Sequence, residues 1–269
     1  MKSLNRFLGI ILIGAVIGVT MAACGGDDDD DRGLEGTVST PPSSPDNAPA
    51  GVYVPATGAD VGKLVISAPA YTINPTTGAV ISTSDAVSVT AQIRTGSGTD
   101  GTTIVNNGTI SGGTLAITIP EANGSLLKPA VDFFGDFLMI PPKLFQSGQD
   151  VKIGELCISP SGGLMLLFSN PVFKMRLHNS QEWWELPDEQ YFYFYSEGTI
   201  TISGSHTEVH NGITNTVKTD LKLVKGWNCV YQAYKMTGTT AATYTMITKI
   251  PPAATAKWVF VSKSLGVLL

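Results

Sequence analysis

From residue 51 onward, apolar residues alternate with polar ones or form short runs, and turn residues separate these segments. Residues 114–119, for example, place Leu115, Ile117 and Ile119 on one face and polar or small residues on the other. A period of two is typical of a β-strand with one buried face. The pattern predicts about eleven strands, at residues 63–67, 86–93, 114–119, 151–158, 164–168, 191–195, 199–209, 213–224, 229–234, 243–248 and 257–261.

These strands, without a strong helix among them, predict an all-β protein of the β-sandwich type, immunoglobulin-like or related. The clearest hairpin joins the strands around Asn211-Gly212, a residue pair preferred in type I′ turns. Residues 123–148 are irregular and predict a crossover with a short helix, limited by Pro129 and Gly135. The body is therefore either one large unit or two packed β subdomains, residues 51–122 and 149–269.

The first 24 residues have a different pattern. Lys2 and Arg6 precede an apolar run over residues 7–19, and small residues lead to Cys24. These are the parts of a secretory signal peptide. With the cysteine after the cleavage site, residues 1–24 resemble the lipobox signal of bacterial lipoproteins. The alternative is a transmembrane anchor, but such a helix needs about 20 apolar residues and this run is shorter.

The lipoprotein resemblance implies that residues 1–23 are removed and that Cys24 becomes the acylated N-terminus, which tethers the chain to a membrane. Residues 24–50, with Asp27 to Asp31 and several prolines, predict an extended, disordered tether. The acidic tract is similar to export tracts of some surface-displayed lipoproteins, and it also fits a simple solvated spacer. We therefore expect a cell-envelope protein at the outer membrane, with surface exposure as an open alternative.

Charged residues are only 14% of the chain. Loss of Lys2 and Arg6 with the signal leaves 15 basic and 22 acidic residues, a net charge of −7. An acidic surface without a basic cluster repels phosphate backbones, so nucleic acid is not expected as a partner. Cys157 and Cys229 are either a disulfide, which an exported protein can keep, or two buried free thiols.

No catalytic sequence motif is present, so an enzyme is the third choice among functions, and no cofactor is expected. The residues of the types that bind metals, close together in the sequence, are His206, Glu208 and His210. On a strand they share one face about 7 Å apart, which lets two of them, but not easily three, reach one ion. His206 and Glu208 are the candidate ligands, but the favoured interpretation is a solvent-facing hairpin end without metal.

An aromatic segment gives the candidate binding surface. Trp183 and Trp184 precede the run Tyr191-Phe192-Tyr193-Phe194-Tyr195. Period two separates the phenylalanines from the tyrosines, and we expect the phenylalanines to point inward and the tyrosines outward. Exposed rigid aromatics make good contact surfaces. The alternative is that these rings cover the sheet as part of its packing.

The sequence thus predicts a non-catalytic binding or adhesion module that recognises a glycan or a protein. The alternative is a structural subunit of the fimbrial type, which pairs its strands with those of neighbouring molecules.

Overall fold

The fold is taken from a computed structural model. It describes residues 63–84, 86–95, 102–178, 181–210, 212–238, 240–249, 251 and 255–262. The predictions for the signal, for lipidation at Cys24 and for the tether lie outside the described residues.

Seventeen strands make up most of the described chain. Each of the eleven segments predicted from the alternation overlaps one of them. The strands are β1 Leu64–Ile73, β2 Val80–Ser82, β3 Val87–Arg94, β4 Thr102–Ser111, β5 Thr114–Ile119, β6 Lys128–Pro129, β7 Phe145–Ser147, β8 Lys152–Pro160, β9 Gly163–Ser169, β10 Lys174–His178, β11 Gln181–Glu185, β12 Glu189–Ser196, β13 Ile200–His210, β14 Ile213–Leu223, β15 Gly226–Thr237, β16 Ala241–Thr248 and β17 Ala256–Ser262.

One α-helix, α1 (Ala130–Leu138), lies in the irregular segment, with single 3-10 turns at Gly124–Leu126 and Pro142–Leu144. Pro129 stands at the N-cap, where a missing N–H costs no helical hydrogen bond. The helix continues past Gly135 to Leu138, and its C-cap Met139 has a left-handed φ of 53°. No helix in the described ranges is long and apolar enough to cross a membrane.

The all-β prediction is confirmed, but the main sheet closes into an eight-stranded barrel with extra strands instead of stacking as a sandwich. Its strand order is β3-β4-β5-β1-β17-β9-β12-β8, and β8 returns to β3. Closure depends on β8: Leu156 pairs with Ile93 on one edge, and Glu155 pairs with Phe194 on the other. A strand paired on both edges removes the free edges that an open sheet would keep.

The extra strands continue from β12. Its other edge pairs with β15 over residues 189–196, and the sheet then runs β15-β16-β14-β13-β7. We call this branch the second sheet. β12 therefore belongs to both the barrel and the second sheet. β10 and β11 form a separate hairpin. The sequence predicted the Asn211-Gly212 hairpin, and the pairing of β13 with β14 from Ile200↔Leu223 to His210↔Ile213 confirms it.

The buried apolar residues form two large clusters, one on each side of β12. We call the first the barrel core, and it fills the barrel with residues that include Leu64, Ile66, Val89, Leu115, Ile158, Leu167 and Trp258. We call the second the helix-side core, and it lies under α1 with Phe133, Phe134, Ile153, Ile200, Leu221, Val230 and Met246. A smaller cluster lies on the outer barrel wall beside the β10–β11 hairpin.

Candidate binding face

The tyrosines of β12 point into the barrel core. Tyr191, Tyr193 and Tyr195 are only 4%, 2% and 3% exposed. The predicted outward orientation is therefore wrong, whereas the inward orientation of Phe192 and Phe194 is confirmed by their burial in the helix-side core. The reason is the position of β12: because the barrel covers one face and α1 with the second sheet covers the other, neither face is left for solvent.

The tyrosine rings pack against other rings of the barrel core. Ring pairs at such separations contribute to stability beyond simple burial. Their role is therefore packing, and they offer no open platform to a ligand. The centroid distances are 5.3 Å for Tyr191–Tyr231, 5.3 Å for Tyr195–Trp227 and 6.2 Å for Tyr193–Trp258, the last pair being stacked.

The tryptophans give no open surface either. Trp184 is 7% exposed and packs in the cluster on the outer barrel wall. Gly78 makes room for it: the φ of Gly78 is +69°, and a Cβ there would overlap the Trp184 ring. The side chain of Trp183 lies outside the described part of the structure. Of the five residues proposed as a binding surface, the four whose side chains are described are buried.

Burial also sets the protonation of this aromatic region. It raises the pKa of Tyr195 to about 12, and the negative charges of Glu121 and Glu197 contribute to the rise. Burial likewise raises the pKa of Tyr231, with a further contribution from Glu189. Groups with pKa values this high stay protonated near neutral pH, so these hydroxyls are poor general bases there.

Cys157 and Cys229 are free thiols, so the disulfide considered from the sequence is not formed. Cys157 lies opposite Gln92 on the outer barrel wall, whereas Cys229 lies opposite Tyr193 and faces the barrel-core side. The two side chains therefore point to opposite faces of the sheet and do not meet. Burial raises the pKa of both thiols; nearby Arg94 partly offsets the rise at Cys157, and a hydrogen bond with Tyr193 does so at Cys229.

One ion pair is buried on the outer wall. Arg94 Nη2 lies 2.5 Å from Glu155 Oε1, and the side chains are 12% and 2% exposed. Glu155 raises the pKa of Arg94, although desolvation opposes this. Arg94 Nε and Glu155 Oε2 have no hydrogen-bond partner among the described residues. The pair links β3 to β8 beside the point where the barrel closes, so we assign it a structural role.

The histidine segment brings together two described side chains of the kind that bind metals, His206 and Glu208. His206 Nε2 and Glu208 Oε2 are 3.9 Å apart, which is a weak ion-pair distance, and the side chain of His210 is not described. No group of three or more His, Cys, Asp or Glu able to hold a metal occurs in the described ranges. His206 and Glu208 lie beside the hairpin turn, as the sequence indicated.

The second sheet offers an open polar face that was not singled out from the sequence. Residues on it align across β13, β14, β16 and β15, on the side opposite the helix-side core. We call it the lysine face. The signal was present in β14, where exposed Lys218, Asp220 and Lys222 alternate with buried residues that are mostly apolar. The lysine face consists of Ser203, Ser205, Thr207, Thr216, Lys218, Asp220, Lys222, Tyr231, Lys235, Thr243, Thr245, Ile247 and Lys249.

The charges of this face are mainly positive. Its lysines are exposed, and its own acidic residue is Asp220, with Glu189 at the border beside the barrel. Lys249 Nζ lies 4.8 Å from the centre of the Tyr231 ring, and this ring is half-buried. The face therefore combines cations, hydroxyls and one half-buried aromatic ring. No protein-family model, curated protein or solved structure matches the chain.

Proposed function

We propose that this protein is a lipid-anchored lipoprotein of the cell envelope, at the outer membrane, whose β body is a non-catalytic module that binds a glycan or a protein. The lipobox-like segment ending at Cys24 supports the anchor, and the acidic residues 24–50 serve as the tether. The binding surface is the lysine face, in place of the tyrosine stripe expected from the sequence.

The observation that carries this proposal is the composition of the lysine face. The opposite side of the same strands is packed in the helix-side core, but this side keeps Lys218, Lys222 and Lys249 exposed. A sheet face built from cations and small hydroxyl side chains can form many hydrogen bonds to a ligand. The sheet fixes the positions of the short hydroxyl side chains, whereas the lysine side chains lose conformational freedom when they bind.

The test is a screen of the full chain, in a neutral detergent, against arrays of glycans and envelope proteins. We expect the Lys218→Ala/Lys249→Ala variant to bind at least about tenfold more weakly, since each exposed lysine near an anionic partner contributes about 1 kcal/mol. The matched control is Lys143→Ala/Lys174→Ala, two exposed lysines outside this face. Equal binding by both variants, or no ligand for the folded protein, would overturn the proposal.

A second candidate function, assembly by strand addition, is favoured by the edge of β13. Strand β7 covers this edge only at Thr201 and Ile202, and no other strand among the described residues pairs with residues 203–210 there. An unpaired edge accepts a strand from another molecule. Val209, 70% exposed, lies on this strand.

Light scattering of the full chain over a range of concentrations tests the assembly function. Assembly through β13 predicts concentration-dependent oligomers that Val209→Lys weakens, because charged side chains discourage edge pairing. The matched control is Val224→Lys, an exposed valine just after β14. Oligomers unchanged by Val209→Lys, or particles of one unvarying size, would exclude this function.

A further inference from the structure

We infer that the ligand of the lysine face is an acidic polysaccharide, a chain whose sugars carry repeated carboxylate, sulfate or phosphate groups. This inference rests on the proposed binding function and names the class of its partner. It follows from three properties of the face: the sign of its charge, the spacing of its cations and the chemistry between them.

The sign of the charge is unusual for this protein. Lys218, Lys222, Lys235 and Lys249 are all exposed on the face, against Asp220 within it and Glu189 at its border. The chain as a whole carries more acidic than basic residues. A local excess of positive charge on an acidic protein attracts an anionic partner to that region and repels one elsewhere.

The spacing of three of the cations favours a ligand longer than a single small anion. Lys218 and Lys222 are four residues apart on β14, a distance of about 13 Å at the rise of a strand. Lys235 on β15 is paired with Thr243 on β16, which is paired with Thr216 on β14. Its Cα is therefore two strand spacings, or about 10 Å, from β14. Lys218, Lys222 and Lys235 are too far apart to converge together on one phosphate or carboxylate. They match instead a long ligand with charges at intervals.

The third property is the surface between the lysines. In register across the sheet, Thr207 lies beside Thr216 and Thr216 beside Thr243, which makes a row of hydroxyl groups. Thr207 Oγ1 and Thr216 Oγ1 are 3.0 Å apart. Such hydroxyls donate and accept hydrogen bonds as sugar hydroxyls do. A membrane-inserting surface would instead need exposed apolar side chains, and on this face Ile247 is half-buried.

The test measures binding of the full chain, in neutral detergent, to polygalacturonate and to uncharged dextran of similar length. We expect binding to polygalacturonate that weakens as salt rises, because neutralising a chain of charges releases its counterions. Lys218→Glu/Lys222→Glu should weaken this binding by tenfold or more, as about 1.4 kcal/mol corresponds to a factor of ten. Lys143→Glu/Lys174→Glu, with the same change in charge, should leave it unchanged. Asp220→Lys should strengthen it.

The possible outcomes separate this inference from the proposed function. Equal binding to dextran, or equal effects of the two lysine pairs, overturns the acidic-polysaccharide inference but leaves a binding module intact. No binding to polygalacturonate by the folded protein overturns the inference as well, and the separate glycan and protein screen then decides the proposed function. Displacement of the polymer by mixed micelles containing phosphatidylglycerol, but not by micelles containing phosphatidylcholine, would identify a membrane surface as the occupant instead.

Discussion

The two faces of β12 are both buried, but they are buried in different ways. On the barrel-core side, Tyr193 stacks on Trp258 with an interplanar angle of 9°. On the helix-side core, the Phe194 ring lies 5.7 Å from the Phe133 ring and 5.9 Å from the Phe134 ring. The first face carries rings with polar ends, whereas the second carries the apolar rings of Phe192 and Phe194 between the buried polar residues Gln190 and Ser196.

This difference follows from what covers each face. The barrel places acidic residues near two of these tyrosines: Glu121 interacts with Tyr195, and Glu189 with Tyr191. The helix-side core receives the apolar side of α1, which places the rings of Phe133 and Phe134 against Phe194. A buried hydroxyl without a partner costs free energy. This accounts for phenylalanine on the helix side, but not for Tyr191, whose buried hydroxyl has no hydrogen-bond partner among the described residues on the barrel side. One strand thus belongs to two cores, so a substitution that destabilises one core should also destabilise the other.

The largest effect is expected from Phe194→Ala, which empties a site that is 1% exposed in the helix-side core. Such a truncation lowers the free energy of unfolding by about 3–5 kcal/mol. Because β12 is also a barrel strand, near-UV signals from the barrel core should be lost in the same transition. Urea unfolding checks this, with Val209→Ala as the control.

Val209 is 70% exposed, so its truncation should change the free energy of unfolding by no more than about 0.5 kcal/mol. Two separate transitions in Phe194→Ala, with the barrel surviving, would show that the two cores are independent.

The next largest effect is expected from loss of the Arg94–Glu155 ion pair beside the barrel closure. Arg94→Met leaves the carboxylate of Glu155 buried without its partner, which costs about 3 kcal/mol. Denaturant unfolding of this variant, and of Arg94→Met/Glu155→Leu, measures the charge contribution. We expect the double variant to recover most of the loss, since it removes the unpaired charge. An equal loss in both variants would indicate that the packing of Arg94, not its charge, stabilises the closure.

A smaller effect on stability is expected at alkaline pH from Tyr195, on the tyrosine face of β12. Burial raises the pKa of Tyr195 to about 12, while an unfolded tyrosine has a pKa of about 10. Above the lower value the unfolded state loses the proton first, so this contribution to stability is present below pH 10 and is lost as the pH rises towards 12. Urea midpoints between pH 8 and 11 should fall less steeply for Tyr195→Phe than for the unchanged protein. Identical slopes would remove Tyr195 as a cause.

The smallest effect concerns the thiols on the two sides of the sheet. Cys157 and Cys229 are free, and burial raises both pKa values, so labelling by a thiol reagent should be slow in the native protein. In denaturant without reductant, both should react quickly. The count is made by mass spectrometry after labelling. Failure of both to react in denaturant, reversed by reductant, would demonstrate a disulfide and contradict the structure.

The alternation of residues located the strands well because a strand with one covered face needs apolar residues at every second position. Residues 114–119 are an example, and β5 has the same bounds. The segment at 102–111 was missed because polar Asn106 and Asn107 and small Gly108 interrupt its pattern. This segment pairs with β3 through register shifts between Val89 and Gln92. Such shifts cannot be recognised from the residues of one strand alone.

The candidate surface failed for a different reason. In Tyr191, Phe192 and Tyr193 the alternation correctly separated two faces, but every residue of this run is an aromatic that tolerates burial. To predict which side chains are buried, one must know what packs against each face of the strand. Here the packing residues are distant in the sequence, such as Trp258 on one face and Phe133 on the other. The lysine face could have been predicted from the sequence, because lysines that alternate with apolar residues along a strand indicate which side faces solvent.

The amino-acid pattern alone established an all-β body, most of its strands and the hairpin at Asn211-Gly212, because these depend on neighbours along the chain. Barrel closure, the shared position of β12 and the separation of Cys157 from Cys229 were decided by tertiary structure. They depend on which strand edges meet, as when Glu155 pairs with Phe194. Backbone hydrogen bonds are nearly the same for any two strands, so only packing over the whole sheet selects among the possible pairings.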